Sequence, residues 1–175
     1  EAYRKIGILP PSDQAAAVRA VLRERPWIDP ARVGSWGWSG GGSMSLNAIF
    51  KFPDLYQTAI AVASVPDQKH YDTIYQERYM GLPVENRKAF HEGSPINFAQ
   101  NLKGNLLLIH GAADDNCHYQ TYLKLVDKLI EHNKTFSMMT YPRGTHSIKE
   151  GKNARRHLYE TMTRFLHEKM PPGPR

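Results

Sequence analysis

The chain has 175 residues, 41% of them apolar, and a formal net charge of +6, which suits one domain with a real hydrophobic core. Its single cysteine, Cys117, excludes an internal disulfide framework and a multi-cysteine metal site, and His and carboxylate residues show no HExxH-type spacing, so neither metal nor cofactor is expected. The Lys and Arg residues are spread along the chain without interleaved aromatics, which argues against a nucleic-acid groove.

The longest apolar runs, such as 105–109, fall far below the roughly 20 residues that cross a bilayer. The opening residues Glu1-Ala2-Tyr3-Arg4-Lys5 form no basic, apolar leader, so a cytosolic protein or a longer precursor is expected. Ala17, Val18, Val21 and Leu22 recur at helical spacing and predict a first helix over 12–25, capped by Ser12 or Asp13. Pro30 then forces a turn, because it disfavours helix at Asp29. Strands are predicted at 33–38, 58–64, 106–110 and 136–141, and helices at 41–52, 119–131 and 150–169. In the helix over 119–131, Tyr122, Val126, Leu129 and Ile130 share one face. The third strand is apolar at consecutive positions, as a strand covered on both faces should be. Strands alternating with helices predict an α/β fold, a mostly parallel sheet flanked by helices. Residues 66–102 break the rhythm: they hold no clear strand, carry Tyr71, Tyr75, Tyr79 and the Gly81-Leu82-Pro83 turn, and read as a segment that roofs and lines a site.

The chemistry starts at Gly37-Trp38-Ser39-Gly40-Gly41, a G-x-S-x-G pattern between a predicted strand and a predicted helix. A nucleophilic serine on such a tight turn needs small neighbours so that the backbones can approach. The other reading of a Gly-rich turn is phosphate binding at a helix N-terminus. Neither a P-loop Lys-[Ser/Thr] nor a GxGxxG accompanies it, which favours the nucleophile elbow. A serine hydroxyl needs a base, and the base needs an orienting acid. In this arrangement the order is Ser, acid, His, each after a later strand. Asp114 follows the third strand and His146 the fourth, immediately before a long helix. Asp114 is preferred to Asp115, which reads as a surface or capping carboxylate. His70, His91, His110, His118, His132, His157 and His167 read as packed, terminal or surface residues.

Three segments together resemble one family: Gly37-Trp38-Ser39-Gly40-Gly41-Gly42, the Tyr71–Gly81 stretch, and His110-Gly111-Ala112-Ala113-Asp114-Asp115-Asn116. The chain resembles the prolyl oligopeptidase family of serine peptidases, in its dipeptidyl peptidase IV branch, over most of its length. The resemblance implies an α/β-hydrolase fold of which 1–175 is the C-terminal part, with the first strands and a β-propeller upstream. It implies a triad of Ser39, Asp114 and His146. It implies a pocket walled by Tyr71 and Tyr75, with Val65 and Cys117 at its edge and Asn116 on the substrate carbonyl.

Two positions depart from the family pattern. Gly40 stands where a tyrosine usually follows the nucleophile, although its N–H can still donate to an oxyanion. Gln68 stands where better-known members carry a pocket tryptophan, so a strict proline preference does not carry over. The family's second oxyanion donor lies upstream, and the strand before Ser39 is expected as an unpaired edge.

The implied activity is release of N-terminal dipeptides with Pro or Ala penultimate, acting on peptide substrates. An esterase or acyl-aminoacyl peptidase on the same scaffold is the second reading. An inactive fragment or interaction module is a third, of a different class. Family members are often homodimeric and secreted or periplasmic, which sets the expectation for assembly and compartment.

Overall fold

The computed structural model describes residues 2–173. Four strands, β1 (Gly34–Trp38), β2 (Thr58–Val62), β3 (Asn105–Gly111) and β4 (Ser137–Tyr141), form one sheet in the order β1-β2-β3-β4, and every neighbouring pair is parallel. The helices are α1 (Leu9–Glu24), α2 (Gly40–Lys51), α3 (Thr73–Met80), α4 (Arg87–Gly93), α5 (Tyr119–Glu131) and α6 (Ala154–Lys169). The α/β class expected from the alternation is therefore what the chain adopts.

Side chains alternate across the two central strands, and both faces are covered. On one face Ala59, Ala61, Leu106 and Leu108 pack with α2 residues Leu46, Ile49 and Phe50 and α5 residues Tyr122, Leu125 and Leu129, while α1 adds Ala15. On the other, Ile60, Val62, Leu107 and Ile109 pack against Leu158, Met162 and Phe165 of α6. Among the described residues β1 has β2 on one side and no strand on the other, and its Trp36 is 57% exposed. The sheet thus presents an edge at the strand that leads into Ser39.

Several boundaries differ from the expectation for physical reasons. Helix α1 begins at Leu9, with prolines in its first positions and no side-chain cap. Pro10 and Pro11 have no N–H to satisfy and their φ is preset for helix, so neither Ser12 nor Asp13 is needed as a cap. The Ser12 hydroxyl instead donates to the Ile8 carbonyl at 3.1 Å. Helix α6 starts at Ala154 rather than 150, because Gly151 (φ 95°) and Asn153 (φ 64°) are left-handed and cannot continue a helix. On α5 the buried stripe is Tyr122, Leu125 and Leu129, and Ile130 is exposed. One residue past Leu129 the helix has turned by about 100°, which carries Ile130 off the core-facing stripe. Asp115 is exposed, and α5 has no side-chain cap.

Candidate active site

The carboxyl ends of the strands converge on one edge of the sheet, the usual site of ligand binding in open parallel sheets. Ser39 lies between β1 and α2 with φ 58° and ψ −122°, a strained conformation for a residue with a side chain. Its N–H donates to the Val62 carbonyl at 2.9 Å, which ties the turn to β2. Two glycines make the turn possible. A Cβ on Gly37 would collide with the backbone of Gly41, and one on Gly42 would sit 2.8 Å from the Val62 carbonyl. At Gly40 and Gly41 an added Cβ meets nothing within 4 Å, so those two glycines are not required by space.

Asp114, in the turn after β3, has a fully buried side chain that accepts from four sides. Oδ1 takes the backbone N–H groups of Asn116 (3.0 Å) and Cys117 (2.9 Å). Oδ2 lies 2.9 Å from His146 Nδ1 and 3.3 Å from His110 Nε2. Burial alone would raise this carboxyl, but hydrogen bonds from His110 and His146 outweigh it and hold Asp114 well below the ordinary carboxylate range. An ionised carboxylate only accepts, so His146 carries a proton on Nδ1, and in its neutral form it presents the lone pair of Nε2. The Asp114 bond, followed by the neighbouring Cys117, raises the His146 pKa above 6.5 against the opposing effect of burial.

The loop that carries His146 is held from two further sides. Trp38 Nε1 donates to the His146 carbonyl at 2.9 Å, joining the residue before Ser39 to the backbone of the histidine. Glu150 accepts from the Thr145 N–H (2.9 Å), the Thr145 hydroxyl (2.6 Å) and the Lys149 N–H (3.1 Å). The Thr145 bonds hold the Glu150 carboxyl down at about 2. Ile148 closes the loop with φ 44°, an outlier for a β-branched residue, and its side chain is fully buried beside α6.

Among the described residues no hydrogen bond joins Ser39 to His146, and Cys117 neighbours both. Among the described residues the Ser39 hydroxyl has Cys117 Sγ, 3.9 Å away, as its side-chain contact. A serine–histidine bond of this kind commonly tightens only when substrate is in place. Cys117 is drawn under the serine by its N–H to Asp114 and by its carbonyl, which takes His110 Nε2 at 2.7 Å. Since both neighbours of that ring nitrogen are acceptors, His110 carries its proton on Nε2. His110 is fully buried, as the sequence suggested, but it touches the acid directly.

Beside Ser39 opens a cavity of about 380 Å³ walled by Val65, Gln68, Tyr71 and Tyr75 and floored by Gly40 and Ser43 of α2. Tyr71 and Tyr75 pack edge to face at 5.5 Å between centroids, and Tyr75 and Tyr79 at 4.8 Å. Asp72 caps α3 by accepting from the Tyr75 N–H at 2.8 Å, which fixes where that helix and its tyrosines begin. Asn116 lies outside this cavity, in a separate recess shared with Tyr71, Asp72 and His118. Among the described residues no group of His, Cys, Asp and Glu is placed to hold a metal ion, and no helix is long and apolar enough to cross a membrane.

Trp38, Glu150 and the contact of His110 with Asp114 were not singled out in the sequence. Each is an ordinary residue whose role comes from a partner brought in by the fold. Only Glu150 had a local signal, lying five residues from Thr145.

The architecture is that of the α/β-hydrolases, in which a strand-to-helix turn carries a serine and later strand ends carry an acid and a histidine. Residues 1–172 match the Prolyl oligopeptidase family, and the chain belongs to that family. It is 38% identical over 169 residues to a venom dipeptidyl peptidase 4 of Vespa velutina, which covers 94% of this chain and 21% of the relative. It is 37% identical over 169 residues to the prolyl endopeptidase FAP of Mus musculus, covering 95% of this chain and 22% of that one. Among solved structures, Porphyromonas gingivalis dipeptidyl peptidase 4 superposes with a TM-score of 0.92 at 38% identity, over 97% of this chain and 24% of that chain. The chain thus spans between a fifth and a quarter of the length of these relatives.

Proposed function

We propose that this chain carries the nucleophile, acid and base of a serine exopeptidase that releases dipeptides from peptide N-termini, with Pro or Ala penultimate. The observation that carries this reading is the Asp114–His146 bond of 2.9 Å at the same sheet edge as the strained Ser39 turn. His146 Nε2 takes the Ser39 proton as Oγ attacks the scissile carbonyl, and returns it to the leaving amine when the C–N bond breaks. Water then attacks the acyl-enzyme with the same histidine as base, and Ser39 regains its proton. Asp114 holds the imidazole in the required tautomer and stabilises the cation formed at each transfer. The Gly40 N–H, first in α2, donates to the oxyanion. Tyr71, Tyr75 and Val65 receive the penultimate side chain, with Cys117 at the Ser39 end, and Asn116 holds the substrate carbonyl. The relatives' names, dipeptidyl peptidase 4 and prolyl endopeptidase, support a peptide over a simple ester.

A fluorophosphonate probe and a pair of substrates test this. Full-length protein is expected to label at Ser39, and Ser39→Ala to lose the label. Gly-Pro and Ala-Ala anilides should be turned over in preference to simple acyl esters. Labelling with ester turnover but no anilide turnover would replace the peptidase by an esterase, and no labelling would remove the triad.

A further inference from the structure

The cavity beside Ser39 is longer than a proline ring requires. Its floor is one face of α2, where Gly40, Ser43, Met44 and Asn47 line it at helical spacing i, i+3, i+4 and i+7. At 1.5 Å per residue that face runs for about 10 Å. Near Ser39 the floor is low: Gly40 has no side chain, a Cβ there would meet nothing within 4 Å, and Ser43 is small. The Ser43 hydroxyl is already used, accepting from the Val65 N–H at 2.8 Å and donating to the Ser39 carbonyl at 3.3 Å. At the side stands Gln68, 4% exposed, its amide oxygen occupied by Gln76 Nε2. Ile6 and Pro10 also line it, and among the described residues no lining side chain carries a charge. Burial pushes the Tyr71 phenol up, ahead of the effects of Cys117 and Asp72, so that wall stays neutral too.

The geometry points to a penultimate-residue pocket that accepts a bulky uncharged side chain, the size of methionine or phenylalanine, in addition to proline and alanine. This rests on the peptidase reading above. The chemistry follows from the walls. A side chain that fills the channel exchanges water for the apolar surfaces of Met44, Ile6, Pro10 and the tyrosines, at roughly 25 cal/mol per Å² buried. A charged side chain would be desolvated with no counter-ion among the described lining residues, which is unfavourable. Gln68 bounds the channel together with Tyr71, and a tryptophan ring at the same position is bulkier and would narrow it.

The test is a panel of Gly-Xaa anilides with Xaa as Pro, Ala, Met, Phe and Glu, assayed on the full-length protein. Met and Phe substrates are expected within about tenfold of Ala in kcat/KM, and Glu at least about a hundredfold lower. Met and Phe both below a hundredth of Ala would overturn the inference. In Gln68→Trp the ratio of Phe to Ala turnover should fall tenfold or more, with fluorophosphonate labelling of Ser39 reporting that the site has folded. If that variant does not fold, Met44→Trp narrows the same channel from α2 and should lower the same ratio. An unchanged ratio in a labelled variant counts against the inference. Failure of the underlying peptidase reading looks different: no anilide is cleaved at all while Ser39 still labels.

Discussion

At the scale of single residues, Asp114 organises the site. Four donors converge on one buried carboxylate, and the consequence is a raised His146. In the proposed mechanism His146 must be neutral to accept a proton, so kcat/KM should rise with pH through a value above 6.5, the ordinary histidine figure. Asp114→Asn removes the first cause of that shift. It should lower kcat by about 10⁴, as loss of the orienting acid does in serine peptidases, and move the rise in the profile downward. A wild-type midpoint at or below the ordinary value, read from the pH dependence of kcat/KM, would contradict the assignment. Chain order alone suggests Asp114 and His146, since both follow strand-like runs. The donors Asn116 and Cys117 could not, because a backbone N–H carries no sequence signature.

At the scale of elements, the His146 loop is set by bonds that cross the sheet edge and by its own turn. Trp38 reaches it from β1, and Glu150 folds back on Thr145 instead of starting α6. Glu150→Ala should therefore lower kcat by roughly ten- to a hundredfold through misplacement of the imidazole, with KM little changed. Glu150→Gln, which keeps an acceptor oxygen for the Thr145 N–H, should recover most of that loss. Equal kcat for Glu150→Ala and wild type in steady-state assays would show that Trp38 and Asp114 suffice. The expectation of a helix from 150 missed this because periodicity registers side-chain spacing and not a carboxylate's choice of partner. The left-handed Gly151 and Asn153 were visible only as residue types that tolerate such a conformation.

At the scale of the whole molecule, the site depends on a sheet buried on both faces. Leu108 is fully buried in the larger core cluster, and Leu108→Ala should cost about 2–5 kcal/mol of stability, measured by urea unfolding. The ion pair ties stability to pH. Asp114 is depressed from 3.8, so its contribution is present above that value and lost as pH falls through the lower folded value. His146 is raised from 6.5, so its contribution is present below that value and lost as pH climbs through about 10. Both are fully present between 3.8 and 6.5. Thermal unfolding of wild type should therefore peak in that window relative to Asp114→Asn, and parallel pH curves for the two would count against the coupling.

The sequence by itself determined the α/β class, the strand-to-helix turn at Ser39 and the order of serine, carboxylate and histidine. Those follow from local rules: period-2 and period-3.6 patterns, glycine where backbones must touch, and strand ends that point one way in a parallel sheet. Tertiary structure alone decided that His110 and two backbone amides would meet Asp114, that Cys117 would lie between Ser39 and the acid, and that Gly40, Ser43 and Asn47 would become the floor of a channel. Those contacts join residues distant in sequence, or depend on which face of α2 turns toward the Tyr71 segment. Only packing of the sheet against its helices sets that rotation.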